Sequence, residues 1–228
     1  MSNLEDYKRL NTRKASVVNI GGFRPARDPL ASHFGLQPLA LPGEVWPEFT
    51  GEPLLFVCQL NITAAPAVPA LLKDIKIVSF FVSATVSFDC RQNGEAWSLR
   101  AYKSIDGLVP LTYPANAPKV QRGFECSWEE CDDQPVYDDS ELIVPDKFDR
   151  SHIHLDNVRR TKIGGYASNI QSEPWWGYRP HPANPRYCLQ VNSEEKVGLI
   201  WGDSGTIYVA RGTASGFEDQ WYLDTQCY

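Results

Sequence analysis

Phe56-Val57-Cys58-Gln59-Leu60-Asn61 is answered later in the chain by Tyr187-Cys188-Leu189-Gln190-Val191-Asn192, and the reading of these two stretches decides the fold. Each is an apolar run of strand length interrupted by one glutamine, the pattern of a central strand buried on both faces. Working outward, Ser32-His33-Phe34-Gly35 precedes the first stretch and Thr161-Lys162-Ile163-Gly164 the second, with Trp46-Pro47 and Trp175-Trp176 in between. Glycine and tryptophan are 11 positions apart in both copies, and the copies are offset by about 129. Ile77-Val78-Ser79-Phe80-Phe81-Val82 has its counterpart in Thr206-Ile207-Tyr208-Val209-Ala210. Ordered recurrence of this kind indicates one supersecondary unit used twice. The expected fold is mainly β, an α+β arrangement with few short helices. Two β-roll or barrel-like halves, internally duplicated, pack around a pseudo-twofold axis.

On this reading residues 1–20 are an N-terminal extension and residues 21–228 a single domain. The domain comprises repeats at about 21–118 and 157–228 and an acidic insertion at 119–156. Residues 4–10 suit a short helix capped by Asn3. Strands are expected at 54–60, 75–88, 97–103, 187–191, 197–201 and 206–210, with Gly202-Asp203-Ser204-Gly205 as a tight hairpin turn before the last. Residues 151–156, carrying His152 and His154, alternate like a half-exposed strand.

Composition narrows the function classes. Apolar residues make up 43% and no apolar run approaches the length of a membrane span, so a soluble protein is expected. The polar, acidic start lacks the features of a secretion signal, which points to a cytoplasmic address. Six dilute cysteines do not form a disulfide framework and are expected reduced and mostly buried. A formal charge of −6 without a Lys/Arg cluster argues against nucleic acid.

No constellation carries a reaction. Gly202-Asp203-Ser204-Gly205 matches the nucleophile loop of trypsin-like proteases in composition, but no histidine has the context of a triad base. Cys126 and Cys131 with His152 and His154 have poor zinc spacing. No catalytic residue, metal or cofactor is therefore expected. Gln59 and Gln190 each place an amide inside an apolar strand, where unpaired donors and acceptors cost about 1–3 kcal/mol. Each is expected to clamp its repeat's irregular lead-in loop or to meet the other near the axis. The alternative is that they line a peptide cleft.

Trp46, Trp175 and Trp201 read as core, whereas Pro174-Trp175-Trp176-Gly177-Tyr178-Arg179-Pro180-His181-Pro182 holds more aromatics and prolines than a loop readily buries. Trp175, Trp176 and Tyr178 are the candidate contact surface. Acidic side chains at Glu129, Glu130, Asp132, Asp133, Asp138 and Asp139 add a field suited to a cationic partner. The expected role is a protein-interaction module for a basic or extended client. The competing reading is a ligand-binding protein or enzyme using a cleft between the repeats, with His152, His154, Asp156 and Asp203 as candidates.

The repeated residues resemble the YwqG-like family of bacterial proteins. The likeness rests on Gly35 and Gly164 with Gly165, Leu41-Pro42 before Trp46-Pro47, the Gln59 and Gln190 strands, Gln171, Trp201-Gly202-Asp203-Ser204-Gly205 and the tail at 217–227. It covers roughly residues 20–228, and the chain departs from the pattern where Gly35-Leu36 replaces a double glycine. The resemblance implies a mainly β, duplicated fold without established catalytic residues. It also implies kinship with the programmed-cell-death-protein-two and ribosome-maturation group, hence a chaperone-like role, or an immunity-like role in bacterial neighbourhoods.

Overall fold

A computed structural model describes residues 2–89, 91–136, 139–144 and 156–228. The helix α1 (Ser2–Asn11) leads directly into β1 (Arg13–Ile20). Far along the chain β10 (Phe124–Asp133) pairs with β1 antiparallel over eight residues, from Arg13 opposite Asp133 to Ile20 opposite Cys126. This pair is the centre of a ten-stranded sheet. One arm continues from β10 through β2 (His33–Phe34), β6 (Leu55–Asn61), β7 (Ile77–Val82) and β8 (Trp97–Tyr102). The other continues from β1 through β11 (Lys162–Gly164), β12 (Arg186–Asn192), β13 (Thr206–Arg211) and β14 (Trp221–Gln226). Short ribbons of β3 (Leu39–Ala40) with β9 (Val109–Pro110), and of β4 (Glu48–Phe49) with β5 (Glu52–Pro53), lie outside it.

The sheet curls into a nearly closed, barrel-like form, and the protein is mainly β with one α-helix among the described residues. Side chains from both arms share one core, in which Phe34, Val57, Leu60 and Phe80 meet Ile163, Leu189, Val191 and Val209. Charges tie the free ends of the arms together. Arg211 at the end of β13 forks onto Asp74 ahead of β7 at 2.6 and 2.8 Å, and Lys103 after β8 meets Asp219 before β14 at 2.7 Å.

The two arms carry the same pairing details. Phe34 lies opposite Cys58 as Ile163 lies opposite Leu189, and each apolar strand bulges at the same place, between Phe56 and Cys58 and between Tyr187 and Leu189. Both glutamines clamp their loops. Gln59 Oε1 accepts from Leu39 N–H at 2.8 Å while its Nε2 donates to the Pro29 and Ala31 carbonyls. Gln190 Oε1 accepts from Ser168 N–H at 3.0 Å while its Nε2 donates to the Arg160 carbonyl, Ser168 Oγ and Asn192 Oδ1. Ser32 and Thr161 hydroxyls accept from the Asn61 and Asn192 amides in matching fashion. Gly35 and Gly164 end β2 and β11 with φ of +61° and +72°, a left-handed turn that a side chain resists.

Residues 13–20, in the expected extension, form β1, and residues 124–133, in the expected insertion, form its partner β10. Other expectations need correction. Residues 197–201 hold only an isolated bridge between Glu194 and Leu199, so Gly202, Asp203 and Gly205 form a turn that follows a loop rather than joining two strands. Trp175 is half-buried at the surface instead of core, whereas Trp46 and Trp201 are buried as expected. His152, His154 and Asp138 lie outside the described residues.

Candidate functional site

The double glycine after β11 sets up the site. Gly165 turns the chain tightly over Asp133, so closely that an added Cβ would sit 2.1 Å from Asp133 Oδ2. That carboxylate accepts from Tyr166 N–H at 2.8 Å and Val158 N–H at 2.7 Å and pairs with Lys162 Nζ at 2.7 Å. The loop then runs over the edge strand β14, which fixes it. Gln226 Oε1 accepts from the Ile170 and Gln171 amides, and its Nε2 donates to the Ser172 carbonyl. Asp224 accepts from Trp175 N–H, and the Trp175 indole N–H donates to the Leu223 carbonyl at 3.0 Å. A 3-10 turn follows over Trp175–Gly177.

The opposite wall is residues 139–141. Asn11, at the end of α1, grips the backbone of Ile143 with both ends of its amide and so anchors this segment. Glu141 is held by Arg13 from β1 at 2.5 Å and by Arg186 from β12 at 3.3 Å, and the Arg13 guanidinium lies 4.1 Å over the Tyr166 ring. Between the walls is a cleft of about 430 Å³ lined by Asp139, Glu141, Tyr166, Asn169, Glu173 and Trp176, among others.

Its charge is uneven. Glu141 is neutralised by two arginines, whereas among the described residues no cation lies within ion-pair reach of Glu173 or Asp139. Burial, with Glu173 and Glu141 nearby, pushes the Asp139 carboxyl up to about 6. Asn169 is only 6% exposed, and neither Nδ2 nor Oδ1 has a hydrogen-bond partner among the described residues. A buried, unpaired amide is uncommon in folded proteins and costly to maintain.

The other arm has a depression at the matching place. It encloses about 800 Å³ and is lined by Leu41, Val45, Trp46, Val109 and Tyr113. Glu44 there stands where Glu173 stands here and accepts from the Tyr102 hydroxyl at 2.8 Å and Leu41 N–H at 2.7 Å, as Glu173 accepts from Ser140 N–H. Among the described residues, the cleft beside Trp176 brings together two carboxylates without a cation partner, Asp139 and Glu173, and the unpaired amide of Asn169.

Of the residues singled out from sequence, Trp176 and Asp139 come together here, and Trp175 buttresses them through edge contacts with Trp176, His181 and Tyr222. Tyr178 is 58% exposed on the rim of the aromatic turn. Glu129, Glu130 and Asp132 are exposed side chains of β10 outside the cleft lining, with Glu129 met by Asn19 and Arg160 and the other two by Lys14. Asp133 is buried, so it offers no surface to a partner. Gln171 binds the Cys227 carbonyl, Pro47 accepts from Leu54 N–H, and Asp203 is exposed with its carbonyl taking Tyr228 N–H. Asp156 N–H donates to Gln134 Oε1, while the other residues named for a catalytic cleft are Asp203, on an exposed turn, and His152 and His154, which lie outside the described residues. Asn169 and Glu173 escaped sequence reading. Their only signal is indirect: Glu173 repeats Glu44 at the spacing that relates Trp175 to Trp46.

Among the described residues no helix is long and apolar enough to cross a membrane, and no group of His, Cys, Asp and Glu is placed to hold a metal ion. No curated protein matches the chain. Residues 32–210 match the family described as Domain of unknown function (DUF1963), a match that takes in both glutamine clamps, the Trp46 and Trp175 loops and the whole cleft wall at 166–177. With most of its length covered, the chain belongs to the DUF1963 family.

Proposed function

We propose that this protein is a non-enzymatic interaction module that captures a basic or extended segment of a protein client in the cleft beside Trp176. The observation that supports the reading is the lining itself: an aromatic ring, two carboxylates without cations and an unpaired amide around one depression. Carboxylates next to an indole attract and orient a cation, and the aromatic face adds roughly 0.5–2 kcal/mol once the charge is desolvated. The resemblance to the YwqG-like family adds a chaperone-like or immunity-like role, a cytoplasmic setting is part of the proposal, and the matched arms fit an origin by internal duplication.

A titration with short lysine- and arginine-containing peptides checks this. Binding is expected at low ionic strength, weaker at 0.5 M salt and lost in Trp176→Ala with Asp139→Asn. Peptides that bind the double variant as well as the parent, or bind neither, sink the reading.

A competing reading, turnover of a small ligand, draws on the raised Asp139 carboxyl, because a carboxyl near 6 suits proton transfer. Among the described residues lining the cleft, however, no nucleophile or second titrating group stands in hydrogen-bond reach of Asp139; its Oδ1 accepts only from Glu141 N–H.

A further inference from the structure

We infer that the cleft beside Trp176 recognises an arginine side chain together with that residue's own backbone N–H and C=O, an inference that rests on the binding role proposed above. The cleft already contains one worked case of this recognition within the chain. Arg13 lays its guanidinium over the Tyr166 ring at 4.1 Å and bonds Glu141. The other half of the same cleft repeats those elements without a cation from the described residues: the Trp176 ring for Tyr166, and Asp139 with Glu173 for Glu141. A planar guanidinium stacks on an aromatic face and bonds two carboxylates from its edge, which a point-like ammonium does not reproduce.

Asn169 supplies the second half of the argument. Its amide has a donor and an acceptor side by side, both unpaired, in a side chain more than nine-tenths buried in the cleft lining. The N–H and C=O of one extended residue offer the complementary donor and acceptor, so the backbone of the arginine itself satisfies both atoms, as Leu99 does for Asn93. A free guanidinium compound has donors only and leaves Asn169 Nδ2 unsatisfied. Ser140 N–H donates to Glu173, and the guanidinium takes over that carboxylate oxygen on binding. Leaving Asn169 unpaired is a cost that the bound peptide removes.

The test uses the full chain and three fluorescent pentapeptides, Ala-Ala-Xaa-Ala-Ala with blocked ends, where Xaa is arginine, lysine or citrulline, with methylguanidinium as a competitor. The arginine peptide is expected to bind at least tenfold tighter than either other peptide, and Asn169→Ala to weaken it tenfold or more. Methylguanidinium is expected to compete only at far higher concentration and to be indifferent to Asn169→Ala. Because the peptides vary while the protein does not, the comparison stands even if a variant folds poorly. Equal binding of the lysine and arginine peptides, lost in Trp176→Ala, overturns the arginine assignment but leaves the capture of basic segments intact. Methylguanidinium binding as tightly as the peptide overturns the peptide-group contact. No binding of any basic peptide overturns both proposals.

Discussion

Lys162 and Asp133 meet at 2.7 Å with no exposed side-chain area on either. Burial pulls the Lys162 ammonium below its ordinary range, and the Asp133 carboxylate opposes that pull. Asp133 also receives the Tyr166 and Val158 amides, so one carboxylate locks the end of β10 to the loop that begins the cleft wall. Lys162→Met strands a buried carboxylate and should cost about 3–5 kcal/mol in urea unfolding. Adding Asp133→Asn removes the stranded charge while keeping an oxygen acceptor, and should restore part of that loss. A single variant within about 1 kcal/mol of the parent would falsify the assigned role.

The glutamine clamps give a residue-resolved prediction. Gln59→Leu leaves the Leu39 amide and the Ala31 carbonyl without their partner, and Gln190→Leu does the same to Ser168 and Arg160. Each should lower stability by about 1–3 kcal/mol per group left buried and unpaired. Amide exchange should speed up at Leu39 in the first variant and at Ser168 in the second, each without the other. Protection lost in both loops at once would show that the clamps are not local.

Two groups set opposite pH responses. His33 is buried against Phe56, and burial lowers it from 6.5 to about 4. The unfolded chain therefore binds its proton first, so this contribution is complete above pH 6.5 and is lost as pH falls towards 4, on the order of 3 kcal/mol in all. Asp139, raised to about 6, acts in reverse. The folded state holds the proton more tightly, so stability drops as pH rises from about 4 to 6. Stability measured against pH should lose its acid limb in His33→Phe and gain at neutral pH in Asp139→Asn. An unchanged acid limb in the histidine variant contradicts the first assignment.

Edge protection is the fourth case. Leu99 on β8 and Leu223 on β14 occupy matching places on the sheet's two rims. Asn93 bonds both the N–H and the C=O of Leu99, at 2.8 and 3.1 Å, and Trp175 bonds the C=O of Leu223. Exposed rim groups template pairing with another chain. Asn93→Ala should therefore raise the sedimentation coefficient with concentration, where the parent does not. A variant that sediments like the parent at all concentrations rules this out.

What could be read from sequence followed the apolar residues. The β6 and β12 runs, their glutamines and the Phe80-Phe81 strand announce themselves because both faces are buried. The sheet's centre does not. β10 carries exposed Glu130 and Asp132 on one face and exposed Glu129 on the other, and what makes it a strand is β1, more than 100 residues earlier in the chain, with Lys14 meeting Glu130 and Asp132. Local charge spacing there looks like a solvated loop. The cleft was half legible: Trp176 and Asp139 stand out by type, while Asn169 matters only because the fold withholds every partner from it, which no local pattern records.

The strand order also dictates a timetable. As the chain leaves the ribosome, β1 emerges well before its two neighbours, β10 and β11, which begin only at residue 124 and residue 162. The first arm can zip β6 onto β7 and β8 meanwhile, since those pairings are between successive segments. Residues 13–20 must wait unpaired through the synthesis of more than a hundred others, which makes their short apolar stretch the part of the nascent chain most in need of shelter.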